Sequence, residues 1–341
     1  MNVSATGGNR LRAYLEVFAA VLYFFLARAL AHLGAEGLVS ADWSPLVEQA
    51  MLAFLLLIGY AAMGFWLDRE THPIGDQGLP RRQGFAREAA MGVATGWGLA
   101  VVCVLPLLAA GGIAISFSVQ RQSWGQLAAD AAFFALLALG EEIAFRGYGF
   151  QRFARVLGPV GASVGFAAYY AWVQKIPGSG SSGFLVPLAL GLLLATAYLR
   201  TRALWLGWGL NFGWKASRAL VFGLAVNGDS THSPVVQGDP MGPFWISGGG
   251  LGLDASWVAL LFLLAALPLL FRITRELDFR YNAPVLVPGG IPVDLDAAAR
   301  AQHEAAMGPS EPASPALVQI ASAAVSAVRA DESSETSKTG S

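Results

Sequence analysis

The sequence predicts an all-α fold: a polytopic membrane bundle of about eight transmembrane helices, closed by a disordered C-terminal tail. Three observations carry that reading. Hydrophobic residues make up 55% of the 341-residue chain and charged residues 13%, about half the roughly 25% of a soluble domain. Apolar runs recur along the chain, and the mean hydropathy is +0.52. The arginines collect on alternate loops between those runs.

A helix crossing about 30 Å of hydrocarbon needs roughly 20 mostly apolar residues. The candidate spans are residues 13–33, 47–67, 88–113, 126–153, 160–173, 184–199, 204–224 and 256–271. Glu16 and Arg28 interrupt the first. A cleaved signal peptide competes there, but the run outlasts the roughly 7–15-residue apolar core of one. In the second, the only charged residue is Glu48. The third contains Gly92-x-x-x-Gly96, and the fifth Gly161-x-x-x-Gly165; small residues at that spacing let helices approach closely. The fourth carries Glu141, Glu142 and Arg146, and the seventh Asn211, Lys215 and Arg218. The fifth and sixth are short, and Gly158-Pro159 delays the start of the fifth. Before the eighth comes a long loop rich in Gly and Pro, with the run Gly242-Pro-Phe-Trp-Ile-Ser-Gly-Gly-Gly250. Past Asn282 the composition turns to Ala, Pro, Ser and Glu, which reads as disordered, with a short helix near 296–306.

Orientation follows from charge. Arg10 and Arg12 lie in the N-terminal tail, and Arg69, Arg81, Arg82 and Arg87 in the second loop. Arg152 and Arg155 follow the fourth span, Arg200 and Arg202 the sixth, and Arg272, Arg275 and Arg280 the eighth. The intervening loops hold little beyond Arg121 and Lys175. This is the positive-inside pattern with both termini cytoplasmic in a multi-pass cell-membrane protein. The organisation is therefore an N-terminal cytoplasmic tail (1–12), a transmembrane domain (13–280) and a C-terminal cytoplasmic tail (281–341). A formal net charge of −1 offers no basic patch, so nucleic acid is excluded as a partner. The single cysteine, Cys103, lies in an apolar run, which excludes a disulfide framework and a thiolate metal cage and reads as a buried filler.

Ionisable groups inside spans are costly and face a cavity or one another. Glu141 and Glu142 are adjacent carboxylates that cannot both ionise cheaply in a low dielectric, which sets a candidate base beside a candidate acid. Glu142 and Arg146 stand i, i+4, so the guanidinium can hold a carboxylate; a self-satisfied ion pair locking the bundle is the plain alternative. Asn211, Lys215 and Arg218 share a helix face, as do Phe166 and Tyr170. Counting the rise from flanking arginines puts Glu141, Asn211 and Tyr170 at about 16, 13 and 22 Å depth, so they can meet in one layer. His32 reads as packing or interfacial. His232, in the loop after the seventh span, reaches that layer only if its loop folds back.

Glu141-Glu142-x-x-x-Arg146 inside a span, a Phe-x-x-x-Tyr170 segment, Gly209-Leu-Asn-Phe-Gly-Trp-Lys215 and the Gly-Pro-Phe-Trp run occur in this order. The pattern resembles the CAAX-protease and bacteriocin-processing family of intramembrane metalloproteases over about residues 126–256. The resemblance implies an endopeptidase in which Glu141 activates water and Glu142 and Arg146 support it. Its implied substrates are prenylated C-terminal or small leader-bearing peptides, cleaved near the cytoplasmic leaflet. Its implied cofactor is zinc. The family's two histidine positions fall on Tyr170 and Asn211, however, and its following Asn on Lys215. Neutral Tyr and Asn oxygens are poor zinc ligands. The expectation is therefore no metal, with zinc only if the family activity is retained, and with the Lys215 ammonium in the dication's place against Glu141 or Glu142. The candidate site is Glu141, Glu142, Arg146, Asn211 and Lys215. The expected partners are membrane lipids with a peptide, a lipidated protein or a membrane protein. Three functions follow: an endopeptidase, metal-free if Lys215 or Asn211 stabilises the oxyanion; a non-catalytic pseudoprotease serving as scaffold or regulator; and, with the least support, a transporter, since no inverted repeat is visible.

Overall fold

A computed structural model describes residues 7–117, 123–230, 232, 235–281, 285–286 and 292–293. The body spanning 4–282 is helical: α1 (Gly7–Leu38), α2 (Ser44–Asp68), α3 (Phe85–Ala109), α4 (Ser123–Arg146), α5 (Tyr148–Gln174), α6 (Ser182–Thr201), α7 (Trp205–Ala216), α8 (Trp257–Ile273) and a short α9 (Arg275–Tyr281). The fold is the all-α membrane bundle that the composition requires, and helices lie under the expected spans, although the fourth (126–153) runs past the end of α4 at Arg146 into α5. Helices α1, α2, α3 and α6, together with the run Gly249–Ile273, are long and apolar enough to cross a bilayer. The other three do not meet that measure, for a physical reason. Helices α4, α5 and α7 carry the charged and polar residues, and α7 has 12 residues. At that length α7 is too short by itself, and α4 and α5 carry glutamates and arginines, including those that the packed layer uses.

The first span begins at Gly7, ahead of residue 13, because Arg10 and Arg12 are tolerated in its first turns. The seventh stops as α-helix at Ala216 and continues as one turn of π-helix, Ser217–Val221. Helix α5 bends at Gly158, which has φ 76° and ψ 170°; only glycine adopts that conformation cheaply, and Pro159 then restarts the helix. A two-stranded antiparallel sheet, β1 (Ile113–Phe117) with β2 (Val236–Pro240), was not expected. It ties the loop after α3 to the loop after α7. The expected helix near 296–306 and the tail beyond lie outside the described residues, apart from the paired dipeptides 285–286 and 292–293.

Helix α3 meets α7 through glycines on both sides. A methyl group on Gly92 would collide with the Leu206 carbonyl, on Gly96 with that of Leu210, on Gly209 with that of Ala89, and on Gly213 with that of Val93. Gly161 and Gly165 do something else. The neighbours of their missing methyls are Leu157 and Phe153, so they let α5 fold against its own first half instead of admitting a second helix.

One end of the bundle is zipped by ion pairs. Arg152 bonds Asp68 at 2.7 Å and also Glu70, while Tyr148 donates to Asp68 at 3.0 Å. Arg82 pairs with Glu88 at 2.8 Å and donates to the Thr201 carbonyl at 2.7 Å. Arg200 pairs with Asp278 at 2.6 Å. This is the arginine-rich end read from the sequence. The loop between α1 and α2, the β1–β2 pair and the segment 222–256 lie at the other end.

Candidate functional site

The polar layer forms where α4, the second half of α5 and α7 pack together. Glu141 is 8% exposed, and Tyr170, Asn211 and Lys215 are at most 1% exposed. Asn211 Nδ2 donates to Glu141 Oε2 at 2.7 Å, and the Tyr170 hydroxyl donates to the same oxygen at 3.1 Å. The Lys215 ammonium pairs with Glu141 Oε1. Gln174 Nε2 donates to that oxygen at 2.5 Å and contacts the Tyr170 hydroxyl at 3.3 Å. One carboxylate thus receives four donors, one of them a full positive charge. A carboxylate offers about four lone-pair sites, so each site on Glu141 has a donor.

Glu142 and Arg146 form a separate pair. Glu142 is 0% exposed, and Arg146 Nη1 lies 3.3 Å from its Oε1. Arg146 also donates to the Gly191 carbonyl at 3.3 Å and sits 5.0 Å from the Tyr170 ring centroid. Gly207 leaves room for this pair, because a methyl group there would stand 2.5 Å from Glu142 Oε2. Lys215 therefore goes to Glu141, which settles the choice between the two glutamates.

Arg218 does not join the layer. It pairs with Asp254 at 2.8 Å, and the other Asp254 oxygen accepts from the Asn227 backbone N–H at 2.8 Å. The i, i+7 reading from Asn211 assumed unbroken α-helix. The π turn that begins at Ser217 advances the chain by a different angle and carries Arg218 toward the 249–255 turn. Phe166 likewise packs away from the layer, on Phe150 and Phe153.

One contributor to the layer, Gln174, and one buried partner outside it, Asp254, are not among the residues singled out from the sequence. Gln174 continues the Phe166–Tyr170 spacing by another four residues, a signal that was available. Asp254 is the lone acidic residue of the 242–256 segment, but nothing in the chain points it at Arg218. His232 lies in the loop after α7, and its imidazole stacks on Phe133 with centroids 4.6 Å apart, between Asp130 (3.5 Å) and Asp229 (3.2 Å). Burial lowers its basicity, but the two carboxylates outweigh this and the net shift of its pKa is upward. His32 faces Glu48 at 3.0 Å.

A cavity of about 230 Å³ descends to Glu141. Its polar rim includes Arg28, Glu48, Asp229 and His232, and its wall includes Phe133, Leu137 and Gly140. Along α4, these wall residues lie on the side of Glu141 facing away from the arginine-rich end.

The donor set does not suit zinc. The two positions that the family resemblance assigns to histidine present a phenol and an amide, and an ammonium occupies the space beside the carboxylate. Among the described residues, no group of three His, Cys, Asp or Glu side chains stands where a metal ion could be held. Residues 123–217 match the family model described as Rce1-like, type II CAAX prenyl endopeptidase Rce1-like. The match runs from the start of α4 to the first residue of the π turn, so it contains the whole polar layer. It stops short of the 218–256 part of the resemblance. No curated protein and no solved structure matches the chain.

Proposed function

We propose that this chain, whose segment 123–217 belongs to the CAAX-protease and bacteriocin-processing family, is a non-catalytic member: a membrane protein that binds a peptide, a lipidated protein or a membrane-protein partner without cutting it. The observation that carries this reading is the saturation of Glu141. A general base must offer a lone pair to a water molecule at hydrogen-bond distance. Here Lys215, Asn211, Tyr170 and Gln174 already approach both oxygens. The ammonium neutralises the carboxylate that zinc would otherwise have balanced, as a buried charge requires. The alternation of arginines supports placing the zipped end in the cytoplasm.

The purified full-length chain tests this directly, by metal analysis alongside cleavage assays on a prenylated peptide and on a leader-bearing peptide. The expected result is sub-stoichiometric zinc and no cleavage. Stoichiometric zinc, lost on chelation together with cleavage, would overturn the reading. Zinc-free cleavage that disappears in Glu141→Gln would overturn it in favour of the metal-free endopeptidase. Combining Tyr170→His, Asn211→His and Lys215→Asn rebuilds the family's ligand positions and is expected to confer zinc binding.

A further inference from the structure

The cavity that descends to Glu141 is charged at its mouth and aromatic within. Its mouth holds Arg28, Glu48, Asp229 and His232. His232 lies between Asp229 (3.2 Å) and Asp130 (3.5 Å), and His32 between Glu48 (3.0 Å) and Glu36 (3.5 Å). Among the described residues, these mouth groups and their direct partners comprise the carboxylates of Glu36, Glu48, Asp130 and Asp229 against one guanidinium and two imidazoles. Carboxylates stay in excess even with both imidazoles protonated, and the excess grows when either is neutral. At the floor, Glu141 and Lys215 cancel. Lys175, exposed at the C-cap of α5, is not part of the lining.

One of those carboxylates has spare capacity. Glu48 Oε2 takes the His32 ring, while Glu48 Oε1 has no hydrogen-bond partner among the described residues. A carboxylate oxygen at the entrance to an apolar space suits an ammonium group, to which it offers a charge-assisted hydrogen bond. The low-dielectric walls concentrate the field of the surplus negative charge at that entrance. The floor offers nothing comparable, because Glu141 already receives Lys215, Asn211, Tyr170 and Gln174. A cationic group therefore stays at the mouth.

Between mouth and floor the lining is largely apolar, with Phe24, Phe133, Phe134, Phe145 and Leu137 among its residues. Phenylalanine faces are electronegative, so they accept the edge of another ring and the electropositive carbons beside an ammonium. Gly140 is buried, yet a methyl group added there would find nothing within 4 Å, so open space lies beside it. The volume of about 230 Å³ exceeds the roughly 150 Å³ that holds a benzene ring. That is room for one ring on a short chain.

We propose that this cavity binds a small organic monocation, an ammonium carried on an aromatic body, with the ammonium at Glu48 and the body among the four phenylalanines. Charge complementarity selects it: an anion would meet surplus carboxylates, and an uncharged body would leave the surplus unbalanced. Size selects it as well, since the space fits one ring and not a folded segment of chain. Arg28 opposes this ligand and does not recruit it. The proposal does not depend on whether Glu141 catalyses.

Ligand-observed NMR of the full-length protein in uncharged detergent at about pH 7, with empty micelles as the blank, tests it. The probes are 2-phenylethylamine, 2-phenylethanol and phenylacetate, which are cationic, neutral and anionic forms of one body. The amine is expected to bind at least about tenfold more tightly than the alcohol, with phenylacetate weakest. Glu48→Gln is expected to weaken the amine by about tenfold and to leave the alcohol unchanged. Arg28→Gln removes a like charge and is expected to tighten the amine by about twofold or more. Gly140→Leu fills the space and is expected to abolish binding, whereas Trp66→Ala, exposed on the zipped side, leaves it unchanged. Variants are compared only where they keep the wild-type melting profile, and the three probes on the wild-type protein decide the matter if none does. Phenylacetate or the alcohol binding as tightly as the amine overturns the proposal. So does an amine affinity that is unchanged by Glu48→Gln or lowered by Arg28→Gln. Oleate or a leader-bearing peptide that binds, and is blocked by Gly140→Leu, where the amine does not bind assigns the cavity to another occupant and also overturns it.

Discussion

Glu141 and Lys215 form a buried ion pair in the polar layer. Two opposite charges buried together are tolerable only as a pair, so removing either partner strands the other in a low dielectric. Lys215→Ala is expected to cost about 3–5 kcal/mol of stability, read as a lower melting temperature in detergent. Combining Glu141→Gln with Lys215→Met removes both charges and is expected to recover most of that loss. If Lys215→Ala melts like wild type while Glu141→Ala does not, the pair contributes nothing. His232 offers a second residue-level prediction. Its pKa is raised in the folded protein by Asp130 and Asp229 against the opposing effect of burial. Its contribution is therefore complete below its ordinary value of about 6.5, and it fades as pH rises through the higher folded value. Limited proteolysis of the segment after α7 is expected to be slower at about pH 5.5 than at about pH 9, and His232→Gln is expected to flatten that difference.

At the scale of elements, the α3–α7 crossing holds the site in place. Backbones approach through Gly92, Gly96, Gly209 and Gly213, and this seats α7 so that Asn211 and Lys215 point at α4. A methyl group at Gly209 or Gly96 meets backbone carbonyls, which cannot rotate away. Gly209→Ala is expected to destabilise by about 2 kcal/mol or more and to loosen the Glu141 layer with it. Gly98 lies in the same helix, but its missing methyl has open space. Gly98→Ala is expected to be neutral or to stabilise by up to about 1 kcal/mol through helix propensity. Paired melting curves of the two variants make the comparison. The π turn after α7 has an equally specific consequence: it sends Arg218 to Asp254 and leaves Lys215 as the cation of the layer.

Among the described residues, the helical body has two unlike ends, one laced with arginine–carboxylate pairs and one built of loops, a short sheet and the cavity rim. Membrane orientation should follow that asymmetry. Cys103 is buried, so it gives little background in labelling with a membrane-impermeant maleimide. In intact cells, Asp42→Cys at the open end is expected to label, and Thr71→Cys at the zipped end to label only after permeabilisation. The reverse pattern would invert the topology.

The sequence by itself determined the solvent, the all-α class and which charged residues lie within apolar segments. Apolar runs, alternating arginines and intramembrane charges are local properties, readable wherever they occur. Glu141, Tyr170, Asn211 and Lys215 could be assigned to one layer because helical rise converts sequence distance into depth. Which partner each charge takes was decided by the tertiary structure. Glu142 and Arg146 are one turn apart and were legible as a pair. The choice of Glu141 for Lys215, of Asp254 for Arg218 and of Asp130 for His232 depends on rotations about helix axes, a kink at Gly158 and a π turn, none of which spacing encodes. The cavity belongs to the same class: its walls come from four helices and the loop after α7, and a void between elements exists only once they are packed.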